Sequence, residues 1–219
     1  TGGGRENGEL PLDIERRRSQ LDAPGFAAGS SCRYNATLTG ATLTMRIRPF
    51  RAFRPAPGWT EQVASPPYDV VTREEAVRIA QGNDACFLRV SRADLELPSS
   101  VSPTAPEVYE RAAANWRRFR ERGWMVQDEH PSLFLYEQSV PGHVQVGLVG
   151  LYHVADYEAE IVRKHEHTRP EPEEDRARHI SATQIQSGPV FLAVRDRAGA
   201  LARAAREAAD HLQPWFEFT

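Results

Sequence analysis

Residues 133–154 read LFLYEQSVPGHVQVGLVGLYHV, two mostly apolar runs separated by Pro141 and Gly142. Runs of this length around a Pro-Gly pair predict two antiparallel β-strands joined by a short turn. Residues 160–163 are expected to extend the same sheet. The hairpin gives the domain its sheet, and the other elements are placed by working outward from it.

Three further strands are predicted from short apolar runs. Residues 47–53 carry spaced apolar side chains and are followed by two prolines, which cannot donate to a strand ladder. Residues 86–92, CFLRVSR, and residues 189–196, PVFLAVRD, are compact apolar runs of strand length. Strands are therefore expected on both sides of the hairpin in the sequence.

Two helices are predicted upstream of the hairpin. Thr72 and Glu75 form a capping-box pattern, so a helix is expected to start there and to run to about residue 82. From residue 105, apolar residues recur at helical spacing on one face until Gly123, which ends the second helix. Those apolar positions are Val108, Ala112, Trp116 and Phe119.

Residues 173–186 and 198–212 are the two remaining predicted helices. Helices and strands mixed in this order indicate an α+β (mixed α/β) domain over residues 45–219, with a central mixed sheet and flanking helices. Residues 1–44 begin glycine-rich and charged and have no consistent apolar period, so we expect a disordered N-terminal extension. A misplaced start would also explain it, with Met45 as the better beginning.

The composition bounds the class of protein. Of 219 residues, 40% are hydrophobic, which is enough for a buried core, and the net charge is −3. That charge gives no global basic field for nucleic acid, and the basic run 117–122 fits the outer face of a helix that buries Trp116 and Phe119. No apolar run has the length of a bilayer crossing. We therefore expect a cytoplasmic protein with neither membrane nor nucleic acid as a partner.

Residues 164–178 read KHEHTRPEPEEDRAR and contain two histidines, five carboxylates and the chain's only lysine. Phosphoryl transfer needs cations against phosphate oxygens, usually magnesium, and a group that takes the hydroxyl proton. Glu166 is the candidate general base, His165 would orient Glu166 or a phosphate, and the Lys164 ammonium suits phosphate. The alternatives are an exposed loop glutamate, a structural histidine and a lysine retained by chance.

The following residues offer further ligands for an anion or a metal. Thr168 and the start of the next predicted helix present hydroxyl and backbone N–H donors. Arg176 is the candidate phosphate clamp, because a guanidinium can donate two parallel hydrogen bonds, and Asp175 is the candidate metal ligand. A routine solvated Asp-Arg pair is the alternative. His179 lies one helical turn from Asp175, where a buried structural hydrogen bond is equally reasonable.

Tyr68 and Asp69 follow two prolines and form a second candidate site, for substrate binding. A loop whose direction is restricted by prolines could present Asp69 to a substrate amine or to magnesium. The alternative for Asp69 is an Asx turn that caps the following helix.

Four segments together carry a resemblance to a known family: MRIRPFRAFRP at 45–55, SPPYDVV at 65–71, KHEHT and DR within 164–176, and SGPVFLAVRD at 187–196. In this order they resemble the amino-terminal part of domain-of-unknown-function family 1015, over residues 45–219. The resemblance implies an enzyme related to free-serine kinases, which transfer a nucleotide phosphoryl group to the hydroxyl of L-serine and give O-phosphoserine. The implied cofactors are Mg²⁺ and ATP or ADP, and the implied partners are L-serine and the nucleotide.

The resemblance also implies a fold related to the ParB/sulfiredoxin-like fold of chromosome-partitioning proteins. Members of the family are longer than this chain, and its ending PWFEFT resembles a segment that normally continues. We therefore expect a truncation at Thr219, which leaves open whether this fragment is active by itself.

Two other functions stay open on the residues alone. Alternating imidazoles at His165 and His167 could belong to a metal-dependent hydrolase, although no established zinc spacing is completed. Its further ligands would come from Glu166, Glu171 or His179. The other alternative is a non-catalytic nucleotide- or DNA-binding module. The sequence has no P-loop and no dinucleotide glycine fingerprint, so a nucleotide would need a different binding architecture.

Overall fold

The structure is a computed structural model. It describes the backbone of residues 15–21, 32–38, 41–212 and 214, and the side chains of residues 45–212 and 214. The predicted N-terminal extension, residues 1–44, lies largely outside the described residues, and its interpretation as a disordered or mis-started segment stays a prediction.

The chain divides into two compact units. The first unit consists of Thr1–Phe50, His130–Ile161 and Val194–Thr219. The second unit consists of Arg51–Glu129 and Val162–Ala193. The chain therefore leaves the first unit and returns to it twice.

Eight strands and seven α-helices are described, together with one 3-10 helix. The strands are β1 (Glu15–Leu21), β2 (Cys32–Leu38), β3 (Ala41–Arg48), β4 (Phe53–Pro55), β5 (Met125–Gln127), β6 (Leu133–Val140), β7 (His143–Val149) and β8 (Leu151–Tyr152). The helices are α1 (Thr60–Val63), α2 (Arg73–Ala80), α3 (Leu88–Ser91), the 3-10 helix Ala93–Glu96, α4 (Pro106–Glu121), α5 (Val154–Glu158), α6 (Pro170–Thr183) and α7 (Ala200–His211).

The predicted hairpin is confirmed, and it forms part of the first unit. β6 and β7 pair antiparallel from Phe134 opposite Val149 to Val140 opposite His143. Gly142 in the connecting turn has a φ of 81°, a conformation that favours glycine. β1 pairs antiparallel with β6, which gives a sheet of order β1-β6-β7.

A second sheet of the first unit has the order β2-β3-β8. β3 stops before Pro49 and β4 begins only at Phe53, so the single strand predicted at residues 47–53 is wrong. Pro49 explains the interruption, because it has no N–H to donate to a ladder. Phe50 still exchanges backbone hydrogen bonds of 3.0 and 2.9 Å with Ser132 as an isolated bridge.

The strand predicted at residues 160–163 is also wrong. α5 ends at Glu158 and a turn follows, in which Glu160 has a φ of 56° that is incompatible with a strand. His153 starts the helix, because its ring Nδ1 accepts a hydrogen bond of 3.1 Å from the backbone N–H of Ala155. The capped helix α5 therefore precedes this segment, and the left-handed turn at Glu160 follows the helix.

A part-buried ion pair, with the Arg46 side chain 43% exposed, joins β3 to α5 within the first unit. The Asp156 side chain is 1% exposed. Its Oδ1 accepts from Nε and Nη2 of Arg46 at 3.0 and 2.5 Å, and its Oδ2 accepts from the Arg46 backbone N–H at 2.8 Å. The side-chain hydrogen bonds from Arg46 contribute most to holding the pKa of Asp156 below its ordinary value, and the backbone hydrogen bond contributes next.

The core of the second unit forms around α4, as the helical spacing of its apolar residues predicted. Phe119 is fully buried and packs edge-on against Trp124, with ring centroids 5.1 Å apart. Trp116 packs in the same way against Phe53 of β4, at 4.9 Å. β4 pairs antiparallel with β5, which follows α4 closely in the chain, so this short sheet lies against the same helix.

The capping box that was predicted to start α2 is confirmed. The Thr72 hydroxyl accepts from the Glu75 backbone N–H at 3.2 Å, and the Glu75 carboxylate accepts from the Thr72 N–H at 2.8 Å. The strand predicted at residues 86–92 is wrong, since this segment contains α3. Leu88 and Val90 are both fully buried there, and a short apolar run cannot distinguish a buried strand from a buried helical turn.

Two predicted helices in the last part of the chain are confirmed. α6 corresponds to residues 173–186 but starts earlier, because proline fits the first turn of a helix, and α7 corresponds to residues 198–212. The strand predicted at residues 189–196 is wrong, since this segment has no regular structure. Val190 and Phe191 are exposed there instead of being packed in a sheet.

The predicted α+β class is confirmed. The described strands all pair antiparallel and divide among three small sheets, instead of forming one central mixed sheet. Within the described part of the chain, none of the helices has the length and apolar character that a membrane crossing requires.

Candidate functional site

A cleft in the second unit brings together charged, aromatic and hydroxyl side chains. Its volume is about 240 Å³. Its walls come from α3, the 3-10 helix, α4, α6 and the loop that precedes α2. The side chains that matter for its chemistry are those of Tyr68, Asp69, Arg92, Tyr109, Asp175, Arg176 and His179. Four of the predicted site residues are thus gathered in one place.

Arg92 fixes the turn that carries Tyr68 and Asp69. Its Nη1 donates to the backbone oxygens of Tyr68 at 3.1 Å and of Val71 at 2.6 Å. Its Nε and Nη2 donate to the buried carboxylate of Asp94 at 3.1 and 3.3 Å. The loop that follows the two prolines is thereby tied to the 3-10 helix, which gives both side chains a defined place in the cleft wall.

Asp175 links α6 to α4 through Oδ1, while its Oδ2 pairs with the neighbouring residue of α6. The Tyr109 hydroxyl donates to Oδ1 at 2.9 Å, and Arg176 donates to Oδ2 from Nε at 3.1 Å and Nη2 at 2.7 Å. Burial, followed by the hydrogen bond to Asp175, raises the pKa of Tyr109 to about 12. Tyr109 therefore remains a hydrogen-bond donor at physiological pH.

The Arg176 guanidinium stacks on the ring of Tyr68. Its central carbon lies 4.1 Å from the ring centroid, which is close for a cation–π contact. Its Nη1 forms no hydrogen bond to any described residue, and the side chain is 24% exposed. Arg176 therefore has a fixed position and an edge that remains available to a ligand.

His179 forms a buried part of the cleft wall, 3% exposed. Its Nε2 lies 2.9 Å from the carbonyl oxygen of Val90, so Nε2 carries the proton in the neutral ring. Nδ1 is buried and has no hydrogen-bond partner among the described residues. Burial lowers the pKa of His179. His179 therefore has a buried structural hydrogen bond, but its partner is Val90 and not Asp175, one turn away on α6.

Asp69 differs from the other charged groups of the cleft in having no fixed partner. Its side chain is exposed, and it forms no hydrogen bond or ion pair with any described residue. α2 is capped by Thr72, so the role of a capping Asx turn is not needed at Asp69. The Asp69 carboxylate is therefore available to an amine or a metal ion.

The other four predicted site residues lie outside the lining of the cleft. Lys164, His165, Glu166 and Thr168 are exposed and belong to the loop that leads into α6. The Thr168 hydroxyl donates to the Glu173 carboxylate at 2.5 Å, so its hydrogen is used locally. The catalytic and phosphate-binding roles of these four residues stay predictions.

The predicted metal ligand, Asp175, has both oxygens occupied by protein donors. Its contacts favour a carboxylate that orients Arg176, and the metal-binding role stays a prediction. Among the described residues, no three histidine, cysteine, aspartate or glutamate side chains are grouped so that they could hold a metal ion. The hydrolase alternative with His165 and His167 therefore also stays a prediction.

Sequence reasoning missed Arg92 and Tyr109. Arg92 lies in residues 86–92, for which the sequence predicts a strand, so its position in the cleft wall could not be predicted. Tyr109 carries a signal that could have been used, because it follows Val108 on the apolar face of α4. A buried tyrosine hydroxyl needs a hydrogen-bond partner, and that partner is Asp175.

The chain belongs to the family described as "Protein of unknown function (DUF1015)", whose sequence model matches residues 47–219. The resemblance seen in the sequence is thereby confirmed. No curated protein and no solved structure matches the chain. The implied relation to the ParB/sulfiredoxin-like fold stays a prediction.

Proposed function

We propose that this protein is a small-molecule kinase that transfers a nucleotide phosphoryl group to the hydroxyl of free L-serine. The observation that supports this best is the cleft, because its lining contains both the available edge of Arg176 and the available carboxylate of Asp69. Serine carries a carboxylate and an ammonium on one carbon. The fixed cation suits the phosphate of the product, and the available carboxylate suits either the serine ammonium or a magnesium ion that neutralises the phosphate.

In the proposed reaction, the serine hydroxyl oxygen attacks the terminal phosphorus of ATP or ADP. The bond from this phosphorus to the bridging oxygen breaks, and the nucleotide leaves with one phosphate fewer. The hydroxyl proton passes to a base on the protein and then to solvent. The products are O-phosphoserine, the shortened nucleotide and one proton, so charge and atoms balance.

The proposed roles combine the cleft with the loop before α6. Arg176 donates to phosphate oxygens, and Tyr68 supports it by stacking. Glu166 is the proposed base, with His165 as its orienting partner. Both lie on the loop that leads into α6, the helix that carries Arg176. Lys164 and Thr168 are the proposed phosphate ligands of the same loop.

A magnesium ion fits this cleft best at Asp69. Magnesium in phosphoryl-transfer sites is held by one or two carboxylates together with substrate phosphates. Asp69 offers one carboxylate without a protein partner among the described residues, whereas both oxygens of Asp175 are hydrogen-bonded. Bound there, magnesium would supply neutralisation of the phosphate charge.

Phosphorus NMR of the chain with Mg²⁺, L-serine and ATP or ADP tests the proposal. We expect an O-phosphoserine resonance that requires both serine and nucleotide. Glu166→Gln should lower the rate by about 100-fold or more, because a general base contributes at least that much. Glu174→Gln is the matched control, since it removes the same charge from an exposed position of α6 that has no proposed role.

Each other outcome has a distinct meaning. Nucleotide consumption without O-phosphoserine would contradict serine as the acceptor. Nucleotide binding without turnover would favour the non-catalytic binding module. If the protein binds neither the nucleotide nor serine, the proposal as a whole is contradicted. The proposal assigns the protein to the cytoplasm, where free serine and nucleotides are available.

A further inference from the structure

Tyr109 and Asp175 take no part in the reaction proposed above, yet their contacts converge on Arg176. We propose that Tyr109 and Asp175 are positioning residues, which hold the Arg176 guanidinium as a preorganised receptor for a phosphate group. The inference rests on the proposed function for the role of Arg176. It concerns binding, however, and can hold whether or not serine is phosphorylated.

The donors of Arg176 show which edge is left for the anion. Nε and Nη2 both donate to Oδ2 of Asp175, at 3.1 and 2.7 Å. Arginine has five N–H groups, so the two on Nη1 and the second on Nη2 remain. The edge formed by Nη1 and Nη2 presents two parallel N–H groups, which is the arrangement that matches two oxygens of one phosphate.

Two contacts restrict the guanidinium in different directions. The Tyr68 ring, whose centroid is 4.1 Å from the central carbon of the guanidinium, limits movement of the group towards that side. The Asp175 carboxylate prevents rotation within that plane, because it accepts from two donors on one edge. A receptor held in both ways loses little side-chain freedom when the anion binds, and affinity rises when that cost is low.

Tyr109 connects this arrangement to the buried face of α4 in the second unit. Its side chain belongs to the buried face of α4 and is 7% exposed. Its hydroxyl donates to Oδ1 of Asp175 at 2.9 Å, which fixes the orientation of the carboxylate. The chain of contacts thus runs from the core through Tyr109 and Asp175 to Arg176.

If only charge is considered, Asp175 should weaken phosphate binding, which is the opposite of what a positioning role predicts. A carboxylate beside the receptor repels an incoming phosphate, so removing its charge should strengthen phosphate binding if Asp175 only neutralises Arg176. If Asp175 positions Arg176, the same change should weaken binding. A metal ligand would affect binding only when magnesium is present. The sign and the magnesium dependence of one substitution therefore separate the three roles.

The test is the affinity of the 219-residue protein for inorganic phosphate and for O-phosphoserine, measured by calorimetry at constant ionic strength, with and without Mg²⁺. We expect Asp175→Asn to weaken binding about fivefold, in the absence of magnesium as well as in its presence. Tyr109→Phe should weaken it about threefold. Arg176→Lys should weaken it about tenfold or more, because the ammonium cannot reproduce the planar fork.

Two matched controls accompany these variants. Glu174→Gln removes the same charge from the neighbouring residue, which is 61% exposed and pairs with Arg178. Tyr152→Phe removes a tyrosine hydroxyl whose hydrogen bond of 3.1 Å to Leu148 lies in the first unit. Both should leave phosphate binding unchanged. Circular dichroism melts of all variants establish that the comparison is made between folded proteins.

Three results would overturn the inference. Binding of phosphate by Asp175→Asn that equals or exceeds the wild-type affinity would reduce Asp175 to a neutralising charge. Weakening only in the presence of magnesium would make Asp175 a metal ligand. Absence of phosphate binding by the wild-type protein would remove the receptor itself. The expected binding pattern without any O-phosphoserine product would instead support the receptor and contradict the kinase.

Discussion

Two aspartate–arginine pairs, one in each unit, use the same chemistry in different surroundings. In the first unit, Asp156 is 1% exposed and its carboxylate accepts three hydrogen bonds from Arg46, which is 110 residues away in the sequence. In the second unit, Asp175 is 24% exposed and pairs with its neighbour Arg176. A pair of distant residues closes the fold, whereas a pair of adjacent residues can only orient a side chain.

The first comparison is between Asp156→Asn and Asp175→Asn in urea denaturation, and it has the largest expected effect. Asp156→Asn should cost about 2 kcal/mol in the free energy of unfolding, because it weakens the charge-assisted hydrogen bonds that a buried carboxylate accepts from the half-exposed Arg46. Asp175→Asn should cost less than about 1 kcal/mol, since its partner is adjacent and partly solvated. Glu158→Gln, on the exposed face of α5, is the control. Equal losses at the two pairs would contradict the distinction.

Packing next to Arg46 gives the second expected effect. A Cβ at Gly150 would lie 2.7 and 2.8 Å from two atoms of Ile47 and 2.8 Å from Leu133. Gly150→Ala should therefore lower stability by about 1–3 kcal/mol, measured by thermal unfolding. Gly188→Ala is the matched control, because a Cβ there meets nothing within 4 Å. If Gly150→Ala unfolds at the wild-type temperature, the first unit can accommodate the added methyl group. The ion pair would then be less important for the stability of this unit.

The third expected effect is the loss of stability at low pH that the Asp156–Arg46 pair causes. The folded-state pKa of Asp156 lies below its ordinary 3.8, so its contribution to stability is present above that value and is lost as the pH falls through the lower folded-state pKa. Between pH 5 and pH 2, wild-type stability should therefore fall more steeply than that of Asp156→Asn. Parallel curves in urea titrations across this range would show that the Asp156 ion pair does not control acid unfolding.

His179 provides the smallest expected effect, in the wall of the cleft. Its folded-state pKa is lowered from 6.5 by burial, so the unfolded chain binds the proton first as the pH falls below 6.5. Stability should consequently decrease from pH 7.5 to pH 5.5, and His179→Gln should remove that part of the decrease. The measurement is the urea midpoint at both pH values. An unchanged difference in the variant would assign the pH dependence to other groups.

The sequence predicted those elements whose signals are local. The hairpin, the capping box of Thr72 and the apolar face of α4 each depend on neighbouring residues, and each is present. The strands predicted at residues 86–92 and 189–196 failed because a short apolar run looks the same in either conformation. Packing against residues distant in the sequence decides which conformation such a run adopts.

The candidate site was predictable in part for the same reason. Tyr68, Asp69 and Arg176 were selected from the family resemblance and their chemistry, and they line one cleft. The use of Asp175 as a partner of Tyr109 was missed, because 66 residues separate them. Spacing along one helix indicates which residues share its face, but it cannot show which residue of another helix they meet.

The pairing of β1 with β6 has a consequence for synthesis on the ribosome. Glu15 lies opposite Ser139 in this sheet, so the earlier strand emerges long before its neighbour has been made. At about 5–20 residues per second, the delay is on the order of ten seconds. During that time the β1 segment has no final partner, while the whole of Arg51–Glu129 is still being translated. Its sequence ERRRSQL contains three consecutive arginines, and such charges disfavour pairing with other chains during the delay.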